Sequence, residues 1–240
     1  MLPHILFATV LLASPPDGRQ IIKTMHDRYA GKWYRTLSFV QRNTATRPDG
    51  AKEHSVWREY AALPGSLRIQ FEPADSGNGA LYVNDSQFVF KADTLVNATP
   101  FVHPLMVLGF DVYFEPVERT VARLERLKFD LATVRDDTWE GRAVWVVGAR
   151  AGDLRTRQFW IDKERLVFVR LLEPGQRDTT RISDIRFNKY QPVGPAWLSA
   201  EVGFLVDGQE RWLEEYTEIK TDVQLPGALF DPRQWKKARS

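Results

Sequence analysis

The clearest pattern along the chain is a two-residue alternation. Leu67, Ile69 and Phe71 alternate with Arg68, Gln70 and Glu72, so one side of an extended segment is apolar and the other polar. Leu198, Ala200, Val202, Phe204 and Val206 alternate in the same way with Trp197, Ser199, Glu201, Gly203 and Leu205. A strand of this kind belongs to an antiparallel sheet with one covered face. Residues 35–47 and 53–62 flank the turn Pro48-Asp49-Gly50, and 81–83 and 87–90 flank Asn84-Asp85-Ser86 as a tight hairpin. Further strands are predicted at 131–138, 142–150, 155–162, 165–173, 179–189, 196–206 and 209–219, several of them joined by Gly-containing turns. The expected total is about ten or eleven strands.

Three segments depart from that period. Residues 17–33 place Ile21, Ile22, Met25, Tyr29 and Trp33 at helical spacing behind Asp17, an N-capping residue type. Residues 101–110 are densely apolar, with Phe101, Val102, Leu105, Met106, Leu108 and Phe110. Residues 116–128 form a helix with charged i,i+4 partners and Pro116 in its first turn. No repeat or linker divides the chain, so residues 15–240 are expected to form a single domain. A lone antiparallel sheet of this size curls, and its apolar face needs a cover. The helices are small for that task. A residual apolar cavity is one outcome, and a fully packed sandwich is the other. Segment 101–110 is accordingly a lid over the cavity or a plain core helix.

Composition narrows the classes. The 33 basic and 31 acidic residues give a net charge of +2 and are interleaved, so the chain has no nucleic-acid footprint. The nearest thing to a basic cluster, Arg150, Arg155 and Arg157, reads as a solvated face. Residues 1–14 carry the apolar run from Ile5 to Leu12, ahead of Pro15-Pro16. That run falls short of the roughly 20 residues that span a bilayer. It has the length of a signal peptide, although no Lys or Arg precedes it, or else it is a frayed apolar end. Without cysteine there is no disulfide, no thiolate chemistry and no residue for a lipid anchor.

Little in the chain reads as catalysis. His4, His26, His54 and His103 stand apart with no metal-ligand spacing, and no cofactor is implied. The pairs Asp136-Asp137 and Glu214-Glu215 sit on strands, where neighbours point to opposite faces, and read as turn and surface residues. No GxSxG elbow, P-loop or dinucleotide fingerprint occurs. Trp57, Trp139, Trp145, Trp160, Trp197 and Trp212 fall on or beside strands, as core or cavity-lining residues.

The order of elements, together with three stretches, resembles the periplasmic lipoprotein-carrier superfamily, the LolA/LolB-like fold of the lipoprotein localisation carrier and its outer-membrane receptor. The stretches are residues 81–90, a polar turn between two strands; Phe159-Trp160-Ile161-Asp162-Lys163-Glu164; and Leu225-Pro226 followed by Leu229-Phe230-Asp231-Pro232. The resemblance implies an unclosed half-barrel covered by an N-terminal helix and a helical lid. Acyl chains of a lipid or acylated lipoprotein would bind in the apolar cavity and lid, at Leu67, Ile69, Phe71, Phe88, Phe90, Phe101, Leu105, Met106 and Phe110. It also implies an arginine that latches the lid, for which Arg58 is the nearest match and Arg68 the rival; in the carrier the basic residues run directly into the proline, whereas here Tyr60-Ala61-Ala62-Leu63 intervene before Pro64. The function expected is a periplasmic, soluble, monomeric carrier in outer-membrane lipoprotein sorting, with transient membrane contact and a delivery partner. An envelope sensor on the same fold is the alternative, and an enzyme acting on an apolar substrate comes last.

Overall fold

The computed structural model describes residues 16–175 and 178–238. The signal-peptide reading of residues 1–14, with His4, lies outside them. Thirteen strands form one antiparallel sheet. Six of them, β1 (Thr36–Thr46), β2 (Lys52–Ala62), β3 (Ser66–Phe71), β4 (Gly79–Val83), β5 (Ser86–Lys91) and β6 (Thr94–Pro100), run as a meander outward to one edge. The other seven, β7 (Val134–Trp139), β8 (Arg142–Val147), β9 (Gln158–Asp162), β10 (Phe168–Pro174), β11 (Ile182–Val193), β12 (Ala196–Val206) and β13 (Gln209–Thr221), start at the opposite edge and return. The halves meet where β1 pairs with β13, while β6 and β7 do not pair, so the sheet is an unclosed half-barrel. The connection between those two edges carries α2 (Pro104–Gly109) and α3 (Val117–Arg126) across the concave side.

The first helix, α1 (Gly18–Tyr29), buries Ile21, Ile22 and Met25 completely, and the Asp17 carboxylate accepts from the Gln20 N–H at 2.8 Å as its N-cap. The helix stops short of residue 33 because Gly31 turns the chain at φ 72°, a conformation open to glycine. Trp33 still reaches the core, where its ring stacks on Tyr113 at 3.7 Å. Together with α3 these side chains cover β7–β10, whose Val144, Val146, Phe159, Ile161 and Phe168 are all but fully buried.

Two features of the sheet position the site. The sequence pattern missed β6, because every residue of it is exposed and no face of it is selected for burial. Second, β13 carries a bulge opposite Phe39: Ser38 pairs with Lys220, but Val40 pairs with Thr217. One extra residue there, with Glu218 at φ 52°, switches which parity of β13 faces inward.

Candidate functional site: an acid-bearing apolar cavity

Between the concave face and α2 lies a cavity of about 300 Å³. Its floor is made by alternating positions of the central strands: Leu37 and Phe39 of β1, Ala61 of β2, Leu67 and Ile69 of β3, Ile185 and Phe187 of β11, Leu198 and Phe204 of β12. Its cover is Phe101, Pro104, Leu105, Met106 and Phe110. The cover is half core. Val107 and Leu108 of the same helix are fully buried against the protein, whereas Leu105 and Phe110 remain partly accessible toward the cavity. His103 caps α2, its Nδ1 accepting from the Met106 N–H at 3.4 Å, and its ring meets Tyr82 edge-on at 4.8 Å. Burial, reinforced by nearby Arg123, lowers the His103 pKa to about 4, so the imidazole is neutral at physiological pH.

Of the residues singled out in the sequence, Leu67, Ile69, Phe101, Leu105, Met106 and Phe110 are gathered around this space. Phe71 shares their face but lies past the end of the cavity, against the Trp57 ring at 4.7 Å. Phe88 and Phe90 are on the opposite, convex face and need correcting as cavity residues. Phe88 stands opposite Leu81, which stands opposite Arg68, and all three therefore point away from Leu67 and Ile69. There they form a second small core with the C-terminal tail, in which Phe90 stacks on Trp235 at 4.2 Å.

Neither proposed arginine latches the lid. Arg58 is on the convex surface, bonded to Glu72 at 2.8 Å. Arg68 is fully buried beneath the tail, donating to the Leu229 carbonyl at 3.1 Å and the Trp235 carbonyl at 3.0 Å, with its guanidinium 3.8 Å from the Trp235 ring centre. The cover is instead tied down by Arg123 of α3, which bonds Asp111 and Glu115 at 2.9 Å each and Asp85 at 2.8 Å. Asp111, just past α2, also accepts from the Gly65 N–H at 2.8 Å. This buried network joins the lid base to the β2–β3 and β4–β5 turns. In the sequence Arg123 counts only among the charged i,i+4 partners of 116–128, while Asp111 and Glu115 precede that helix, so no pattern joins the three.

The floor also holds carboxyl groups. Glu173 is ion-paired with Arg157 at 3.0 Å, so Arg157 is not part of a merely solvated face. Glu214 belongs to the wall as well, which corrects its reading as a surface residue; the bulge at Glu218 turned it inward, and Glu215 took the exposed side. The two Glu214 oxygens accept from Trp212 Nε1 at 3.0 Å and the Tyr216 hydroxyl at 2.8 Å. Burial raises its pKa to about 7 in spite of those donors. Glu59 is buried on β2 among Trp57, Ala61 and Ile69, and among the described residues it has neither a hydrogen bond nor an ion pair. Burial first, and then the Glu214 charge, push its carboxyl well above the usual range. Asp136 and Asp137 are surface residues, in ion pairs with Lys163 and Arg135. No group of three or more His, Cys, Asp or Glu among the described residues could hold a metal ion.

The half-barrel and its helical cover have counterparts among solved structures. The fold is LolA-like. A putative outer membrane lipoprotein-sorting protein domain from Vibrio parahaemolyticus superposes with a TM-score of 0.62 at 12% identity, over 91% of this chain and 98% of that one. A DUF1329 family protein from Desulfovibrio piger gives a TM-score of 0.61 at 13% identity, over 89% and 95%. A LolA superfamily protein from Nitrosomonas europaea gives 0.57 at 11%, over 90% and 98%. The sequence matches no family model and no curated protein. Such low identities carry the LolA-like fold across and leave its chemistry to be read from the cavity itself.

Proposed function

We propose that this chain is a carrier of the cell envelope, which takes acyl chains of a lipid or lipoprotein into the cavity beneath α2 and releases them unchanged. The observation that carries this reading is the cavity itself: about 300 Å³, floored by the sheet, covered by a short helix and walled mainly by apolar side chains. That volume is at the lower end of ligand sites. Each methylene buried there contributes roughly 0.8 kcal/mol, so a chain can bind without a precisely placed polar group. The LolA-like fold and its lipoprotein-sorting neighbour support the same reading. No helix of the described residues is long and apolar enough to cross a membrane. Export through residues 1–14, work in the periplasm as a monomer and hand-over to a delivery partner belong to the proposal.

Titration with a neutral fluorescent acyl-glycerol probe tests it. Saturable binding, displaced by unlabelled acyl-glycerol, is the expected result. A folded protein that binds no acyl chain contradicts the proposal.

A further inference from the structure

The apolar cavity contains one polar feature that the carrier reading does not use. Glu59 and Glu214 face it from β2 and β13, on either side of β1, and neither is matched by a basic side chain. Among the described residues no Lys or Arg lines the wall, whose one basic side chain is the neutral His103 imidazole; the third acid, Glu173, already has Arg157. An isolated carboxyl buried in an apolar pocket is costly unless something pairs with it. Glu214 has neutral donors from Trp212 and Tyr216, but Glu59 has none, and its carboxyl is held between Trp57, Ile69 and the open space.

We propose that Glu59 and Glu214 form a headgroup site for an amine-bearing amphiphile, whose ammonium group enters the cavity between the two carboxylates while its chain lies under α2. The proposal rests on the carrier reading and specifies its ligand. An ammonium donates up to three hydrogen bonds and accepts none, so it suits the two acceptors that stand diagonally across β1 on one floor, Glu59 opposite Phe39 and Glu214 opposite Asn43. It also turns the mutual repulsion of the acids into attraction. Burial, and after it that repulsion, pushes the Glu59 carboxyl well above the usual carboxylate range. A hydroxyl headgroup gains a single hydrogen bond from Glu59. A carboxylate or phosphate headgroup meets two acids, and the one basic side chain of the wall, His103, is neutral there. The geometry therefore ranks ammonium above hydroxyl above carboxylate for one and the same chain. A metal ion is a poor alternative occupant, because no third ligand is gathered there among the described residues.

The test uses the whole chain and a neutral pyrenyl-alkane probe in the cavity, displaced at neutral pH by dodecylamine, dodecanol or dodecanoate below their micellar concentrations. Dodecylamine should displace the probe at roughly tenfold lower concentration than dodecanol, with dodecanoate weakest. Glu59→Gln and Glu214→Gln, checked for folding by circular dichroism, should each shrink that preference severalfold, with dodecanol changing far less than dodecylamine because the Gln amide still offers a hydroxyl a hydrogen bond. If either variant fails to fold, the ranking in the unaltered protein still decides. Equal displacement by all three would overturn the headgroup site and leave the carrier reading standing. A dodecylamine preference that survives in folded Gln variants also overturns it, because the ammonium would then bind elsewhere. Failure of any chain to displace or bind would overturn both.

Discussion

Single side chains decide what this cavity is. Glu214 shows how: its folded pKa of about 7 exceeds the ordinary 4.5, so between those values the folded protein holds a proton that the unfolded chain has lost. Stability from this group is complete below about 4.5 and disappears as pH rises through about 7. His103 works in the opposite sense, with a pKa lowered from 6.5 to about 4; its contribution is complete above 6.5 and is lost as pH falls through 4. Comparison with Glu214→Gln isolates the carboxyl, since His103 is common to both. Thermal denaturation should find the wild type gaining on the variant between pH 8 and pH 5, by roughly 2 kcal/mol once its partial contact with the cavity is allowed for. A pH-independent difference would mean that Glu214 is solvated. Its inward position could not be read in the sequence, because Glu214-Glu215 satisfies a surface strand equally well and only the bulge beside Glu218 selects between them. Arg68 was legible as special but not in its role. Alternation put it opposite Leu67, and what lies on that side is a tail more than 150 residues away in sequence.

At the scale of elements, the lid and its tether are the parts on which the proposed carrier function rests. The 101–110 segment posed lid against core, and α2 is both: Leu108 is fully buried, while Leu105 remains partly accessible and lines the cavity. An aspartate should therefore act differently at each. Leu105→Asp should keep its circular dichroism spectrum and lose acyl-probe affinity severalfold or more. Leu108→Asp buries an unpaired charge and should unfold a marginally stable domain. Two variants with the same behaviour would reject this division of the helix. The tether makes a separate prediction. Arg123→Met strips buried Asp111 of its charged partner and leaves buried Glu115 only the exposed Arg119, and should lower unfolding free energy by about 3 kcal/mol in urea titration. A loss under about 1 kcal/mol would show that these groups reach water. Strands were legible wherever one face is covered, as for β3 and β12. The exposed edge strand β6 left no such mark, and the hairpin of β4 and β5 could not show that its aromatic side is convex.

The whole molecule is a sheet too broad for its cover. Thirteen strands curve around three short helices, and α1 and α3 fill one half of the concave side with close aromatic packing. Over the other half only α2 and its flanks reach across, and the cavity is the space that remains. The sequence contains this imbalance as a surplus of alternating strands over helical segments, but whether it leaves a void or closes into a packed sandwich depends on the curvature of the assembled sheet. A ligand that fills the void binds only the folded state, so it should raise the thermal midpoint with the logarithm of one plus its concentration over its dissociation constant. The most direct measurement is native mass spectrometry of the protein purified from its own host under gentle conditions. The account predicts a species heavier than the bare chain by the mass of one acyl-bearing molecule, released intact on activation and missing from folded Leu105→Asp. A bare-chain mass alone, from a folded preparation that also takes up no added acyl-glycerol, would contradict it.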